Sequence, residues 1–174
     1  MKKYIGLAIV CTMIGLVVWQ VINEPKQTQP KAQVSQEERR VILATDFTLP
    51  MLSGEDYTLS QTRGKMTIIN FWASWCASCK MEAPHLQDLY EAYSDRVEIV
   101  AVNITSKDTK EDAATFVEQY ALTFPVLLDK TGEISTMYGA FAIPTTVFLN
   151  EKGEIIHEYA GPMEKQFLID LLEL

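Results

Sequence analysis

Two cysteines separated by two residues, Cys76 and Cys79, are the side chains of this sequence best suited to chemistry. They follow an apolar, strand-like run at residues 67–72 and precede a segment with helical periodicity. Two thiols at this spacing can close a disulfide where a helix begins. The unpaired backbone N–H groups of the first helical turn then favour the thiolate form of the first thiol. The pattern is typical of a catalyst of thiol–disulfide exchange.

Zinc sites and haem attachment sites also use Cys-x-x-Cys, and both are disfavoured here. A structural zinc site requires a second pair of ligands, and the sequence leaves only Cys11, His85 and His157 for it. Haem attachment requires a histidine directly after the second cysteine, and that position holds Lys80. The sequence therefore favours redox chemistry and predicts no metal and no cofactor.

The first 22 residues predict a membrane anchor. Lys2 and Lys3 precede an almost purely apolar run at residues 4–22. As a helix rising about 1.5 Å per residue, this run spans roughly 28 Å, close to the hydrocarbon thickness of a bilayer. No small-x-small cleavage site follows, so we expect residues 1–22 to be an uncleaved signal-anchor with Cys11 as apolar filler. Because the two lysines should stay on the cytoplasmic side, we expect a single-pass protein whose remaining chain lies on the extracytoplasmic side of the cytoplasmic membrane.

A flexible linker is predicted at residues 23–40 and one domain at residues 41–174. The linker contains two prolines, several glutamines and almost no apolar residues, so it cannot bury enough surface to fold. Residues 41–174 carry 9 Lys and Arg against 20 Asp and Glu, a net charge of −11. This negative charge argues against nucleic acid or anionic lipid as a partner.

Strand-like and helix-like patterns alternate along residues 41–174, which predicts a three-layer α/β domain with a mixed sheet. The predicted strands lie at 47–50, 57–59, 65–72, 97–103, 124–128, 145–150 and 154–159. One predicted helix begins at residue 76, and three further helices are predicted at 110–120, 133–138 and 163–172. Pro84 lies inside the first of these helices and is expected to kink it.

Four local patterns are distinctive: Phe-Trp-Ala-Ser-Trp-Cys-x-x-Cys-Lys at 71–80, Pro84 five residues after the second cysteine, Ile-Pro-Thr-Thr at 143–146, and the hairpin at Gly153. Together they resemble the thioredoxin superfamily. A hairpin before the first central strand and a helix-bearing insert between Asn103 and Phe124 are absent from plain thioredoxin. Together with the anchor, they resemble the TlpA/ResA type of extracytoplasmic thiol–disulfide oxidoreductases. The resemblance implies a thioredoxin-like fold with an N-terminal β-hairpin and a central helical insert.

The two cysteines are expected to have different roles. Cys76, at the helix start and the more exposed of the two, is interpreted as the attacking thiolate. Cys79, one turn further and more buried, is interpreted as the thiol that resolves the mixed disulfide, so that Cys76–Cys79 is the redox-active disulfide. Ala77 and Ser78 between them match neither thioredoxin nor the pairs frequent in the resembled group, so no redox potential is carried over.

Proton transfer to and from Cys79 requires an ionisable group. Plain thioredoxins have a buried aspartate six residues before the first cysteine, and this chain has Asn70 there. Glu82 lies three residues after Cys79, hence on the same helix face, and ResA-like proteins carry an acidic residue at this position. We interpret Glu82 as assisting deprotonation of Cys79 and contributing to substrate selection. The alternative is a solvated surface glutamate beside Lys80.

Substrate binding is expected near a proline loop. The resemblance implies that the Ile143–Pro144 peptide bond is cis and packs against the cysteines. The loop, ending at Thr145, would then expose backbone to an extended peptide. Trp75 is interpreted as an apolar rim for this substrate, whereas Trp72 is expected in the core.

The sequence therefore predicts a membrane-tethered enzyme that exchanges disulfides with extracytoplasmic proteins and acts as a monomer. The resemblance implies that it works as a reductant, for example of apocytochrome c cysteine pairs in cytochrome c maturation, with electrons from a membrane partner.

Two alternatives stay open. A thiol peroxidase of the peroxiredoxin type would share the fold and the opening at residues 47–50, although its Pro-x-x-x-Thr/Ser-x-x-Cys loop is replaced by residues 72–75. A copper-binding, Sco-like metallochaperone would use both cysteines and His157, although such proteins carry Cys-x-x-x-Cys.

Overall fold

The computed structural model of the protein describes Trp19 and residues 41–174. The predicted anchor and linker, residues 1–22 and 23–40, otherwise lie outside the described residues. Contacts group residues 41–174 as one unit. Within the part of the chain that the structure describes, no helix combines the length and the apolar character that crossing a membrane requires.

Strands and helices alternate along residues 41–174. The strands are β1 (Thr48–Pro50), β2 (Asp56–Thr58), β3 (Met66–Trp72), β4 (Val97–Asn103), β5 (Val126–Leu128), β6 (Thr145–Leu149) and β7 (Ile155–Ala160). The α-helices are α1 (Ala77–Tyr93), α2 (Lys110–Gln119), α3 (Glu133–Met137) and α4 (Lys165–Leu172). Short 3-10 helices lie at Leu59–Thr62 and Thr105–Lys107.

The central strand of the domain is β3, in a five-stranded mixed sheet of order β5-β4-β3-β6-β7. β3, β4 and β5 run parallel, whereas β6 is antiparallel to β3 and β7 is antiparallel to β6. β3 and β4 are apolar along most of their length because both faces of the sheet are covered. β1 and β2 form a separate hairpin, and Met51, which directly follows β1 within that hairpin, bridges to Leu127 of β5.

Two apolar cores lie on opposite faces of this sheet, because successive residues of a strand point to opposite sides. Ile68 and Trp72 belong to the core shared with α1, α2 and α4. Ile69 and Phe71 belong to the core that contains residues of the N-terminal hairpin region and that α3 packs against. The result is the predicted three-layer, thioredoxin-like α/β fold with its N-terminal hairpin and helical insert.

Two elements begin two residues later than the sequence predicts, each for a local reason, whereas the other boundaries differ by at most one residue. The last helix begins at Lys165 and not at Met163, whose backbone N–H donates to a side chain of α1. β5 begins at Val126 and not at Phe124, since Pro125 between them has no N–H to donate to a neighbouring strand.

Candidate active site

Cys76 is the N-cap residue of α1. Its backbone is extended, with φ −77° and ψ 115°, and its Sγ accepts the N–H of Cys79 at 3.2 Å. The two cysteines form a disulfide with their Cα atoms 5.3 Å apart. The sulfur of Cys76 therefore takes the place of the oxygen that usually caps a helix, where backbone N–H groups stabilise negative charge.

Exposure barely separates the two cysteines. Cys76 is 5% exposed and Cys79 is 3% exposed, so the larger exposure expected for Cys76 is slight in the disulfide form. Their surroundings differ more, because Cys76 caps the helix whereas Cys79 lies within its first turn.

The proline loop lies against Cys76. The Ile143–Pro144 bond is cis, and the carbonyl oxygen of Ile143 lies 3.7 Å from Cys76 Sγ. Thr145, the first residue of β6, follows and donates its hydroxyl to Ala142 at 2.6 Å. The fold thus brings the Ile-Pro-Thr segment to the disulfide, although it is 67 residues away in the sequence.

The two tryptophans near the disulfide occupy opposite environments. Trp75 is 57% exposed, and its Nε1 donates to the carbonyl oxygen of Lys107 at 2.8 Å. Trp72 is 3% exposed and packs on Phe116 of α2, with ring centroids 4.4 Å apart. Trp75 therefore lies at the surface beside Cys76, whereas Trp72 belongs to the core.

Glu82 is buried behind the disulfide, with 1% of its surface exposed. Its Oε2 accepts Nδ2 of Asn70 at 2.9 Å, and its Oε1 accepts the backbone N–H of Met163 at 3.1 Å. Burial raises the pKa of Glu82 to about 7, and the two hydrogen bonds offset only part of that rise. The alternative interpretation, a solvated surface glutamate beside Lys80, is therefore wrong.

Asn70 orients this carboxylate. Its Nδ2 donates both to Glu82 and to Oγ1 of Thr146 at 2.9 Å, so it joins β3, α1 and β6. A cavity of about 10 Å³ beside it is lined by Asn70, Cys79 and Trp72 together with apolar side chains. Asn70 and Cys79 thus border the same small space behind the disulfide.

Comparison with known proteins places this site in a family. The model of the AhpC/TSA family, a thioredoxin-like family, matches residues 43–158. The chain belongs to this family. Sporulation thiol-disulfide oxidoreductase A of Bacillus subtilis (strain 168) is 36% identical over 96% of this chain and 96% of its own length. Thiol-disulfide oxidoreductase ResA of Halalkalibacterium halodurans is 37% identical over 75% of this chain and 74% of its own.

A solved structure is also similar to this chain in sequence and in fold. The crystal structure of StoA from Bacillus subtilis is 38% identical, with a TM-score of 0.65, and the match covers 74% of this chain and 96% of that one. Relatives and structure together make the chain a thiol–disulfide oxidoreductase of the ResA/StoA type, with Cys76 and Cys79 as its Cys-x-x-Cys pair.

Sequence reasoning missed three members of this oxidoreductase site. Thr146 and Met163 hold Asn70 and Glu82 from 76 and 81 residues away. Asp108 accepts hydrogen bonds from Ser74, two residues before Cys76. The sequence pattern near Asp108 is that of a helix start at Thr109, where acidic residues are common. That pattern gives no reason to connect Asp108 with the disulfide.

No group of His, Cys, Asp and Glu residues within 41–174 is arranged to hold a metal ion.

Proposed function

We propose that this oxidoreductase is tethered to the cytoplasmic membrane by residues 1–22 and reduces disulfides of extracytoplasmic proteins. Its proposed clients include the cysteine pairs of apocytochrome c, and a membrane partner is proposed to supply the electrons. The observation that carries the proposal is the position of Cys76 Sγ, at the N-cap of α1 and 3.7 Å from the Ile143 carbonyl oxygen.

The proposed reaction starts from the reduced pair. The Cys76 thiolate attacks one sulfur of a client disulfide, so that a Cys76–client bond forms and the client disulfide breaks. The client sulfur that leaves takes up a proton. Cys79 then loses its proton and attacks Cys76 Sγ, which forms the Cys76–Cys79 disulfide and releases the second client thiol. Two electrons pass from the enzyme to the client.

Glu82 is the proposed acceptor of the Cys79 proton. A base works best when its pKa lies near the working pH, and burial raises the pKa of Glu82 to about 7. Glu82 lies on α1 three residues after Cys79, and Asn70, which holds its carboxylate, borders the same cavity as Cys79. This placement supports proton transfer on the buried side of the disulfide.

The proposed client-binding surface is formed by Trp75, Ile143, Pro144 and Thr145. The carbonyl oxygen of Ile143 faces Cys76, and an extended client segment can pair with the backbone there as an added strand. Trp75, which directly precedes Cys76 in the sequence, offers an exposed aromatic face. The client disulfide would then lie between backbone contacts and an apolar rim.

The reduction potential of the Cys76–Cys79 pair in the full chain tests the direction of electron flow. We expect a value near that of thioredoxin, about −270 mV. A value near that of the oxidant DsbA, about −120 mV, would contradict the reductant role.

Trapping tests the clients. Cys79→Ala should accumulate mixed disulfides on Cys76, and mass spectrometry would identify the trapped proteins. The matched control is Cys76→Ala, which should trap none. Recovery of no apocytochrome among the trapped proteins would contradict that client assignment.

Alkylation in intact cells tests the location. In a Cys11→Ser background only Cys76 and Cys79 remain, and a membrane-impermeant maleimide should label them after mild reduction. Labelling only after the cells are lysed would contradict an extracytoplasmic domain.

A further inference from the structure

A tight turn precedes Cys76. The backbone N–H of Cys76 donates to the carbonyl oxygen of Ala73 at 3.1 Å, which closes a turn with Ser74 and Trp75 at its centre. Cys76 is both the last residue of this turn and the N-cap of α1. The position of the turn therefore sets the position of the sulfur relative to the helix.

Both central residues of the turn are held by one segment of the helical insert. Asp108 Oδ2 accepts the backbone N–H of Ser74 at 2.7 Å, and its Oδ1 accepts the Ser74 hydroxyl at 2.6 Å. The neighbouring Lys107 accepts the indole N–H of Trp75 through its backbone carbonyl at 2.8 Å.

Asp108 is itself fixed from two further directions. Its carboxylate accepts Nδ2 of Asn103 at 2.7 Å and the backbone N–H of Thr109 at 2.9 Å. Asn103 is the last residue of β4 and is fully buried, and Thr109 is the N-cap of α2. One carboxylate thus connects the end of β4, the start of α2 and the turn before Cys76.

The carboxylate stays ionised in this setting. Partial burial alone would raise the pKa of Asp108, but the hydrogen bonds from Ser74, Asn103 and Thr109 outweigh it and hold the pKa below its usual range. A charged acceptor makes stronger hydrogen bonds than a neutral one, so these contacts persist across the pH range in which a thiolate reacts.

We propose that Asp108 is a positioning residue for disulfide exchange, which holds the Ser74–Trp75 turn so that Cys76 Sγ stays at the N-cap of α1. The inference rests on the proposed role of Cys76 as the attacking thiolate. Without Asp108 the hydrogen bond of the Trp75 indole is the one that remains between the turn and the insert within residues 41–174, and the sulfur moves out of line with the N–H groups of the first helical turn. Cys76 then loses stabilisation of its thiolate and reacts more slowly.

A purely electrostatic role for Asp108 would have the opposite sign. A nearby negative charge disfavours a thiolate, so removing that charge without loss of position would lower the pKa of the Cys76 thiol. Positioning predicts that the same substitution raises it. The direction of the change therefore separates the two explanations.

The test is the pH dependence of Cys76 alkylation in the reduced full-length chain, followed by mass spectrometry of the Cys76 peptide. Asp108→Asn should raise the Cys76 pKa, and at pH values below that pKa each unit of the rise lowers the thiolate fraction about tenfold. Ser74→Ala removes one of the bonds without any change of charge, and it should shift the pKa in the same direction by less. Glu111→Gln is the matched control, since it removes one exposed charge from the same segment and should leave the profile unchanged.

An unchanged or lowered Cys76 pKa in both Asp108→Asn and Ser74→Ala would overturn the inference. If Asp108→Asn does not fold, Ser74→Ala alone decides. A wild-type Cys76 pKa at the ordinary value of about 8.5 would instead contradict the proposed role of Cys76, which is a separate outcome.

Discussion

Two carboxylates belong to the network of hydrogen bonds around the segments that carry the disulfide, and the protein moves their pKa values in opposite directions. Asp108, on the Cys76 side, is half-buried and accepts hydrogen bonds from Ser74, Asn103 and Thr109, which hold its pKa low. Glu82, on the Cys79 side, is almost completely buried and accepts only two, so burial prevails and its pKa rises to about 7. The number of hydrogen-bond donors and the extent of burial together decide whether the pKa of each carboxyl group falls or rises.

The difference matches the needs of the two sulfurs. An attacking thiolate needs a fixed position, and an acceptor that is ionised near neutral pH, such as Asp108, can provide it. A resolving thiol needs a partner that changes its protonation near neutral pH, and a desolvated acid such as Glu82 can do so. We infer that the two sides of one disulfide are specialised for orientation and for proton transfer.

Removing either sulfur should have the largest effect and should show whether the two sides really differ. Cys76→Ala should abolish both turnover and mixed-disulfide formation, because no attacking thiolate remains. Cys79→Ala should also abolish turnover but should accumulate the mixed disulfide. Non-reducing gels with a model disulfide peptide would measure this, and equal trapping by the two variants would remove the distinction.

Glu82→Gln should have the next largest effect, on the step that Cys79 performs. In the wild type the rate of mixed-disulfide resolution should rise as the pH passes about 7, because the carboxylate form of Glu82 accepts the proton. The variant should lose this rise and resolve about 100-fold more slowly at pH 8, the scale of general base catalysis. Rapid-mixing kinetics across pH would measure it.

Cys76 alkylation in Glu82→Gln is the matched control and should stay at the wild-type rate. A resolution profile identical to that of the wild type would show that Glu82 does not handle the Cys79 proton.

Stability should change in opposite directions on the two sides. The folded pKa of Glu82 is raised from 4.5 to about 7, so the folded state binds more protons and loses stability as the pH rises between these values. Glu82→Gln removes that cost and should raise the free energy of unfolding by about 2 to 4 kcal/mol at pH 8, with no gain below pH ~4.5.

Asp108→Asn should lower the free energy of unfolding by about 1 to 2 kcal/mol through weakened hydrogen bonds. The pKa of Asp108 is lowered from 3.8, so its contribution is present above that pH and disappears as the pH falls through the folded value. Urea unfolding of both variants at several pH values would measure the difference. If the free energy of unfolding changes with the same sign in both variants at pH 8, the two carboxylates do not affect stability in opposite directions.

Thr146→Val should have the smallest effect. The substitution keeps the shape of the side chain but leaves Nδ2 of Asn70 with Glu82 as its remaining partner, at a cost of about 1 kcal/mol. The resolution rate should change by less than about threefold, because Asn70 still donates to Glu82. A loss as large as that of Glu82→Gln would mean that Thr146, and not Asn70 alone, keeps the carboxylate in place.

Local patterns were sufficient to predict much of the fold and the reactive pair. The Cys76 and Cys79 spacing predicted a disulfide at a helix start, and the alternation of patterns predicted the order of strands and helices. Both depend on residues that are close in sequence, where backbone geometry limits the possibilities.

The contacts that control the site depend on residues distant in sequence, and so could not be predicted from spacing. Asn70 stands where plain thioredoxins have an ionisable aspartate, and no local pattern indicated a role for it. In the structure it orients Glu82, which is 12 residues away in the sequence. Asp108 reaches Ser74 across 34 residues. Such pairings are created by the order of strands in the sheet, which no local pattern specifies.

The hydrogen bond between Met163 and Glu82 means that the site is complete only when the C-terminal region of the chain has docked. A nascent chain that ends before residue 163 already contains both cysteines, β3 and β6, but it lacks the donor for Glu82 Oε1 and the α4 residues that pack over the same core. Both cysteines are therefore synthesised before Met163, the residue that donates to the Glu82 carboxylate. A folding intermediate in which α4 has not yet docked would expose an oxidisable pair whose proton acceptor is not yet fixed, and docking of α4 would convert that pair into a complete exchange site.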